Sequence, residues 1–135
     1  MRLTISYGEI ENKIKEIAKL DISLMKNTSK SLKLRYNSTN VFVPNVELLI
    51  NVISVSLSKI ECSYDCNPIM KFAVDKLLPQ IFKKLPEEVI VSDGDKIMIE
   101  LAEIDKLRNV FKYISLSDIK MNENDLDVFL TLKDI

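Results

Sequence analysis

The sequence predicts a single α+β domain over residues 1–135: a mostly antiparallel, twisted sheet of successive hairpins, with three helices packed on one face and the middle helix central. Three observations lead there. Short runs of apolar residues alternate with polar ones at period two, and polar turns join these runs in pairs. Other segments carry apolar residues at helical spacing, the longest from about Pro68 to Leu85. Hairpins in series favour antiparallel pairing with one face left for helices to cover.

In chain order, Ser6-Tyr7-Gly8-Glu9 is a capping box, and Tyr7, Ile10, Ile14, Ile17 and Ala18 then repeat at helical spacing, so a first helix is expected from about Tyr7 to Lys19. Leu20, Ile22 and Leu24 alternate with polar residues, as do Leu32, Leu34 and Tyr36. Asn27-Thr28-Ser29-Lys30 supplies the turn between them, which makes a hairpin. Val46, Leu48, Ile50 and Val52 hold one parity of a long strand, whereas Ile53, Val55 and Leu57 hold the other. Such a switch implies a bulge or burial on both faces. Ile60, Cys62, Tyr64 and Cys66 mark a half-buried strand.

Asn67-Pro68 is an N-cap with proline at the first helical position. The helix that follows carries Met70, Val74, Leu77, Leu78, Ile81 and Leu85 on one face with Phe82 at its edge, is kinked by Pro79, and ends at Pro86. Val89–Val91, a turn at Asp93-Gly94-Asp95, and Ile97, Ile99 and Leu101 form a second hairpin. Ile104, Leu107, Val110, Phe111 and Ile114 predict a third helix over about Glu103–Tyr113. A third hairpin runs from Ile119 and Met121 through Asn122–Asp125 to Leu126, Val128, Leu130 and Leu132.

Composition narrows the function. Hydrophobic residues at 47% and charged residues at 29% exclude the disordered class. A net charge of −1 argues against nucleic acid as a partner, because binding it requires a basic surface. The charge is uneven: residues 1–40 hold eight Lys/Arg against four Asp/Glu, and residues 87–135 hold six against twelve. A solvated surface, intramolecular pairing or a head-to-tail contact would each accommodate that asymmetry. No stretch reaches the roughly 18 apolar residues of a transmembrane helix. The first residues lack the apolar core of a signal peptide, so a cytoplasmic location is expected.

The chain contains no histidine, which removes Ser–His and Cys–His nucleophilic pairs and the commonest zinc ligands. No phosphate-binding, dinucleotide or calcium-loop motif is present. Cys62 and Cys66 fall on one strand face about 13 Å apart, too far for a disulfide, and read as small buried hydrophobes. Asp93 with Asp95, and the Asn122–Asp125 run, read as turn chemistry rather than cation ligands. The basic stretch Lys26, Lys30, Lys33 and Arg35, with Tyr36 and Phe42 nearby, reads as a solvated outer face. These features predict a protein that is not an enzyme and uses no cofactor or metal.

The middle helix is more apolar than one packed face requires, since Ile69, Phe72 and Ala73 lie outside its stripe. It is a core helix between layers, part of a homodimer interface through Ile69 or Phe72, or the wall of an apolar cavity. The pattern from Leu116 through Ile119, Leu126 and Val128 to Leu130 resembles the closing strand pair of small bacterial phospholipid-binding, tubular-lipid-binding-like proteins. The resemblance implies lipid binding. Joined to the helix, it gives the leading expectation: a non-enzymatic domain holding a lipid-like or apolar ligand between the middle helix and a curved sheet. Met70, Val74, Leu77, Leu78, Ile81 and Phe82 would line that site, with Lys83 and Lys84 at an anionic head. The alternative is a self-associating protein-interaction module.

Overall fold

The computed structural model describes residues 1–37, 46–68, 71, 90–93, 96–103 and 105–133. Nine strands are described: β1 (Arg2–Ser6), β2 (Ile22–Thr28), β3 (Ser31–Tyr36), β4 (Val46–Ser56), β5 (Lys59–Asp65), β6 (Ile90–Asp93), β7 (Lys96–Glu100), β8 (Ile114–Met121) and β9 (Asp125–Leu132). They form two antiparallel sheets, a large one in the order β2-β3-β4-β5-β7-β6 and a small one in the order β1-β9-β8.

This corrects the expected single sheet under three helices. The hairpins form as their periodicity predicts, but the closing hairpin does not extend the large sheet. Instead β9 takes β1 as its second neighbour, pairing Arg2 with Phe129 and Ser6 with Asp125. Among the described residues one helix exceeds two turns, α1 (Tyr7–Ala18). The expected helix over 103–113 is instead a 3₁₀ turn at Leu101–Glu103, a single α-turn α2 (Asp105–Arg108), and another 3₁₀ turn at Val110–Lys112. Only Phe111 of that last turn is buried, and Ile114 is drawn into β8 opposite Leu132, so no continuous apolar stripe holds a longer helix together. The expected central helix lies almost wholly outside the described residues. Its start is described, with the Lys71 N–H donating to the Asn67 carbonyl at 3.0 Å, as the Asn67-Pro68 signal requires.

The Ser6 hydroxyl accepts from the Glu9 N–H at 3.1 Å and caps α1. The helix closes on Lys19 in the left-handed region, whose N–H reaches the Lys15 carbonyl. Pairing in the large sheet puts Ile22, Leu24, Leu32, Leu34, Tyr36, Val46, Leu48, Ile50, Cys62, Tyr64, Ile97 and Ile99 on one face. The parity switch in β4 is a bulge: Val52 and Val55 both pack into the core, and Ile53 between them is exposed.

The core has two parts. Tyr7 of α1, Leu32 of β3, and Ile119 and Met121 of β8 meet between the sheets, with Leu24, Val52, Val55, Ile60 and Leu126 around them. Val46 and Leu48, 1% and 2% exposed, centre a second cluster with Leu34, Tyr36, Ile50, Tyr64 and Cys66. The sheets are tied by backbone hydrogen bonds from Leu116 to the Leu57 carbonyl (2.6 Å) and from Met121 to the Ser29 carbonyl (2.8 Å).

Candidate functional site

The eight residues expected to line an apolar-ligand site, Met70, Val74, Leu77, Leu78, Ile81, Phe82, Lys83 and Lys84, lie outside the described residues, as does Phe42. An open groove of about 510 Å³ lies along β2–β5 and the residues that follow β5. It is lined by Asn27, Lys33, Glu47 and Asp65 together with Leu48, Leu49, Cys66 and Asn67, so both signs of charge face into it.

The basic hairpin is matched with acidic partners. Lys26 pairs with Glu123 at 3.8 Å, Lys30 with Asp118, and Arg35 with Glu47 at 3.9 Å. Two of these three pairs join the basic amino-terminal third to the acidic carboxy-terminal third, so part of the charge asymmetry is satisfied within the molecule. Cys62 and Cys66 form no disulfide. Cys62 is buried, and burial, followed by the neighbouring Glu61 charge, pushes its thiol up to about 11, which suppresses the reactive thiolate. The Asn122–Asp125 run is a turn, with Asn122 bonded to Asp125 through backbone and side chain. Among the described residues no cluster of His, Cys, Asp or Glu is arranged to hold a metal ion. No helix among them is long and apolar enough to cross a membrane.

Each sheet edge presents a row of N–H and C=O groups that require partners. On β2 the outward Leu24 N–H donates to the Glu11 carboxylate of α1 at 2.7 Å. On β8 the outward Leu116 and Met121 N–H groups are taken by Leu57 and Ser29, and the Ile119 carbonyl accepts from the Lys30 ammonium at 2.6 Å. The free side of β1 differs.

Met1 and Leu130 exchange N–H···O bonds in both directions, and the Tyr7 N–H reaches the Asn124 carbonyl at 3.1 Å. In an antiparallel ladder such pairs alternate with non-bonded ones. Leu3 and Ile5 therefore bond to β9, whereas the N–H and C=O of Arg2 and of Thr4 point away from it. Arg2, Leu3 and Thr4 are all exposed, and among the described residues no strand pairs with this edge.

The two flanks of β1 have distinct chemistry. On the outer face the Thr4 hydroxyl donates to Asp127 at 2.6 Å, and the Asn122 amide donates to the same carboxylate at 3.0 Å. These two hydrogen bonds, Thr4 first, hold the Asp127 carboxyl below the usual carboxylate range. On the inner face Met1 and Leu3, 63% and 53% exposed, leave an apolar row uncovered, and Leu132 continues it along β9.

Sequence reading missed β1. The signal was present in the alternation of Arg2, Leu3, Thr4 and Ile5, but four alternating residues beside a strong capping box read more readily as the approach to a helix. Comparison with family models, curated proteins and solved structures returns no match.

Proposed function

We propose that this chain is a non-enzymatic protein-interaction module that accepts an extended strand on the open edge of β1. One observation supports the reading above the rest: Arg2 and Thr4 hold their N–H and C=O groups outward on an exposed edge, whereas the Leu24 N–H of β2 and the Leu116 N–H, Met121 N–H and Ile119 carbonyl of β8 already have partners. Strand addition uses such groups for affinity and the alternating side chains for specificity. Here those side chains are Met1 and Leu3 on one face and Arg2 and Thr4 on the other.

The edge also lacks two of the usual protections against pairing, proline and a bulge, and the pairing of β1 with β9 is regular throughout. The test is side-by-side affinity capture with the wild-type chain, Arg2→Pro and Arg2→Lys. Proline removes one outward donor without touching the bonds to β9. A partner chain held by the wild type and by Arg2→Lys, but lost with Arg2→Pro at unchanged melting temperature, is the expected result. Equal capture by all three variants, or capture by none, overturns the reading.

A further inference from the structure

The open edge is self-complementary, and we infer that it takes the β1 strand of a second copy of this chain, with Leu3 of each copy on the two-fold axis. The inference rests on the reading of β1 as a strand-accepting edge and adds the partner and the register.

The ladder and the side chains together select the register. Two antiparallel β1 strands related by a two-fold axis through Leu3 place Leu3 against the partner copy's Leu3, Arg2 against Thr4, and Met1 against Ile5. Leu3 turns its own N–H and C=O inward to β9, so the central pair is the non-hydrogen-bonded kind, with side chains at their closest. Arg2 and Thr4 turn theirs outward, so each Arg2–Thr4 pair is of the bonded kind. Two such pairs exchange four N–H···O bonds and satisfy every outward group of Arg2 and Thr4. A pairing slipped by one residue would set outward groups against inward ones and form no such ladder; a centre on Arg2 would set like charges face to face, and one on Thr4 would take Leu3 off the axis to face Ile5.

The side chains agree with that register on both faces. On the inner face the exposed Met1 and Leu3 join their counterparts in one continuous apolar row, which covers the surface each copy leaves bare. On the outer face the partner copy's Arg2 comes opposite Thr4, and the Asp127 carboxylate lies one strand beyond, bonded to the Thr4 hydroxyl. The arginine reaches over the small Thr4 toward the Asp127 carboxylate, which leans toward Thr4 through their hydrogen bond. The charges are therefore complementary across the axis, and the two small sheets merge into one sheet of six strands.

A strand pair of this length buries little surface, so the dimer is of the weak, concentration-dependent kind. The test uses the whole chain in sedimentation velocity over a dilution series, with Leu3→Glu, Leu3→Lys and an equimolar mixture of the two. The wild type is expected to sediment faster as concentration rises. Each variant alone should raise the dissociation constant at least about tenfold, because like charges then face each other at the axis. The mixture should recover association, since Glu and Lys then meet there.

Leu3 is half exposed and makes its ladder bonds through the backbone, so both variants are expected to fold, with far-UV circular dichroism as the check. A wild type that stays monomeric throughout overturns self-pairing while leaving strand acceptance from another protein intact. Association that is unchanged in both variants, or a mixture that behaves as its components do, overturns the Leu3-centred register. Loss of capture on Arg2→Pro together with a monomeric wild type assigns the edge to a different chain.

Discussion

The ammonium of Lys30, in the turn between β2 and β3, is hydrogen-bonded to the Asp118 carboxylate and, at 2.6 Å, to the Ile119 carbonyl of β8. One side chain thus fastens the turn of the large sheet to the edge of the small one. It does so beside the backbone bond from Met121 to Ser29, which crosses the same boundary.

That contact makes stability depend on acidity. The hydrogen bond from Lys30, chiefly, and that from the Ile119 N–H hold the Asp118 carboxyl below the usual carboxylate range. A carboxyl lowered in the folded state contributes stability above its unfolded value of about 3.9 and loses it as the pH falls through the folded value. Asp118→Asn is therefore expected to be less stable than wild type at pH 7. The cost is under about 1 kcal/mol, because the pair is half exposed. Urea titrations should show that difference shrinking toward zero as the pH falls through the folded value; a constant difference across the range would exclude the linkage.

Tyr7 is the hinge between α1 and the last hairpin. Its hydroxyl donates to the Asn122 carbonyl at 2.6 Å and its N–H to the Asn124 carbonyl at 3.1 Å, while its ring is buried against Leu32, Ile119 and Met121. Tyr7→Phe keeps the ring and removes one hydrogen bond, for an expected loss of about 1 kcal/mol in urea denaturation. Burial, and next the Asp125 charge, raise the phenol above its ordinary value. A raised group contributes stability below its unfolded value of about 10 and loses it as the pH climbs through the folded one. The wild type should therefore weaken above about pH 10 more steeply than Tyr7→Phe. Parallel curves would show that the phenol stays neutral without help from the fold.

Most strands were legible because period two survives wherever one sheet face is buried, as it does from Ile22 through Leu34 and Leu48 to Ile97. What hairpins leave open is which outer edges meet. The pairing of β1 with β9 joins residues too distant for any local pattern to encode. The segment around Leu107, Phe111 and Ile114 imitates a helix face, yet Ile114 belongs to a strand, and the competing β8–β9 ladder decides. The candidate site was illegible for a related reason. Which N–H groups of β1 face outward follows from the alternation of ladder bonds, and that alternation is fixed by the partner strand rather than by the residues of β1.

Leu57 occupies the left-handed region with φ of 56° in the two-residue turn between β4 and β5. Its side chain is 63% exposed, so little packing offsets the strain of a branched residue there. Its carbonyl still accepts from the Leu116 N–H, so the position is held by the backbone. Leu57→Gly is expected to stabilise the protein by about 1 kcal/mol, since glycine adopts positive φ freely. Thermal denaturation should show the melting temperature rising by about 2–6 °C. A fall would mean that the leucine side chain makes contacts in solution worth more than its strain.

The bond between Met1 and Leu130 spans 129 residues, and this governs the order of assembly. At a synthesis rate of about 5–20 residues per second, β1 exists for several seconds before β9 is made, with both of its edges unpaired. The large sheet, whose neighbours β2 to β5 follow one another in sequence, has no such delay. The small sheet is therefore the last part to close, and refolding from denaturant should show it lagging, because the longest loop must be closed first. The same strand that stays open in the finished molecule is also the one left waiting during its birth, so crowding of nascent chains would act first on residues 2–6.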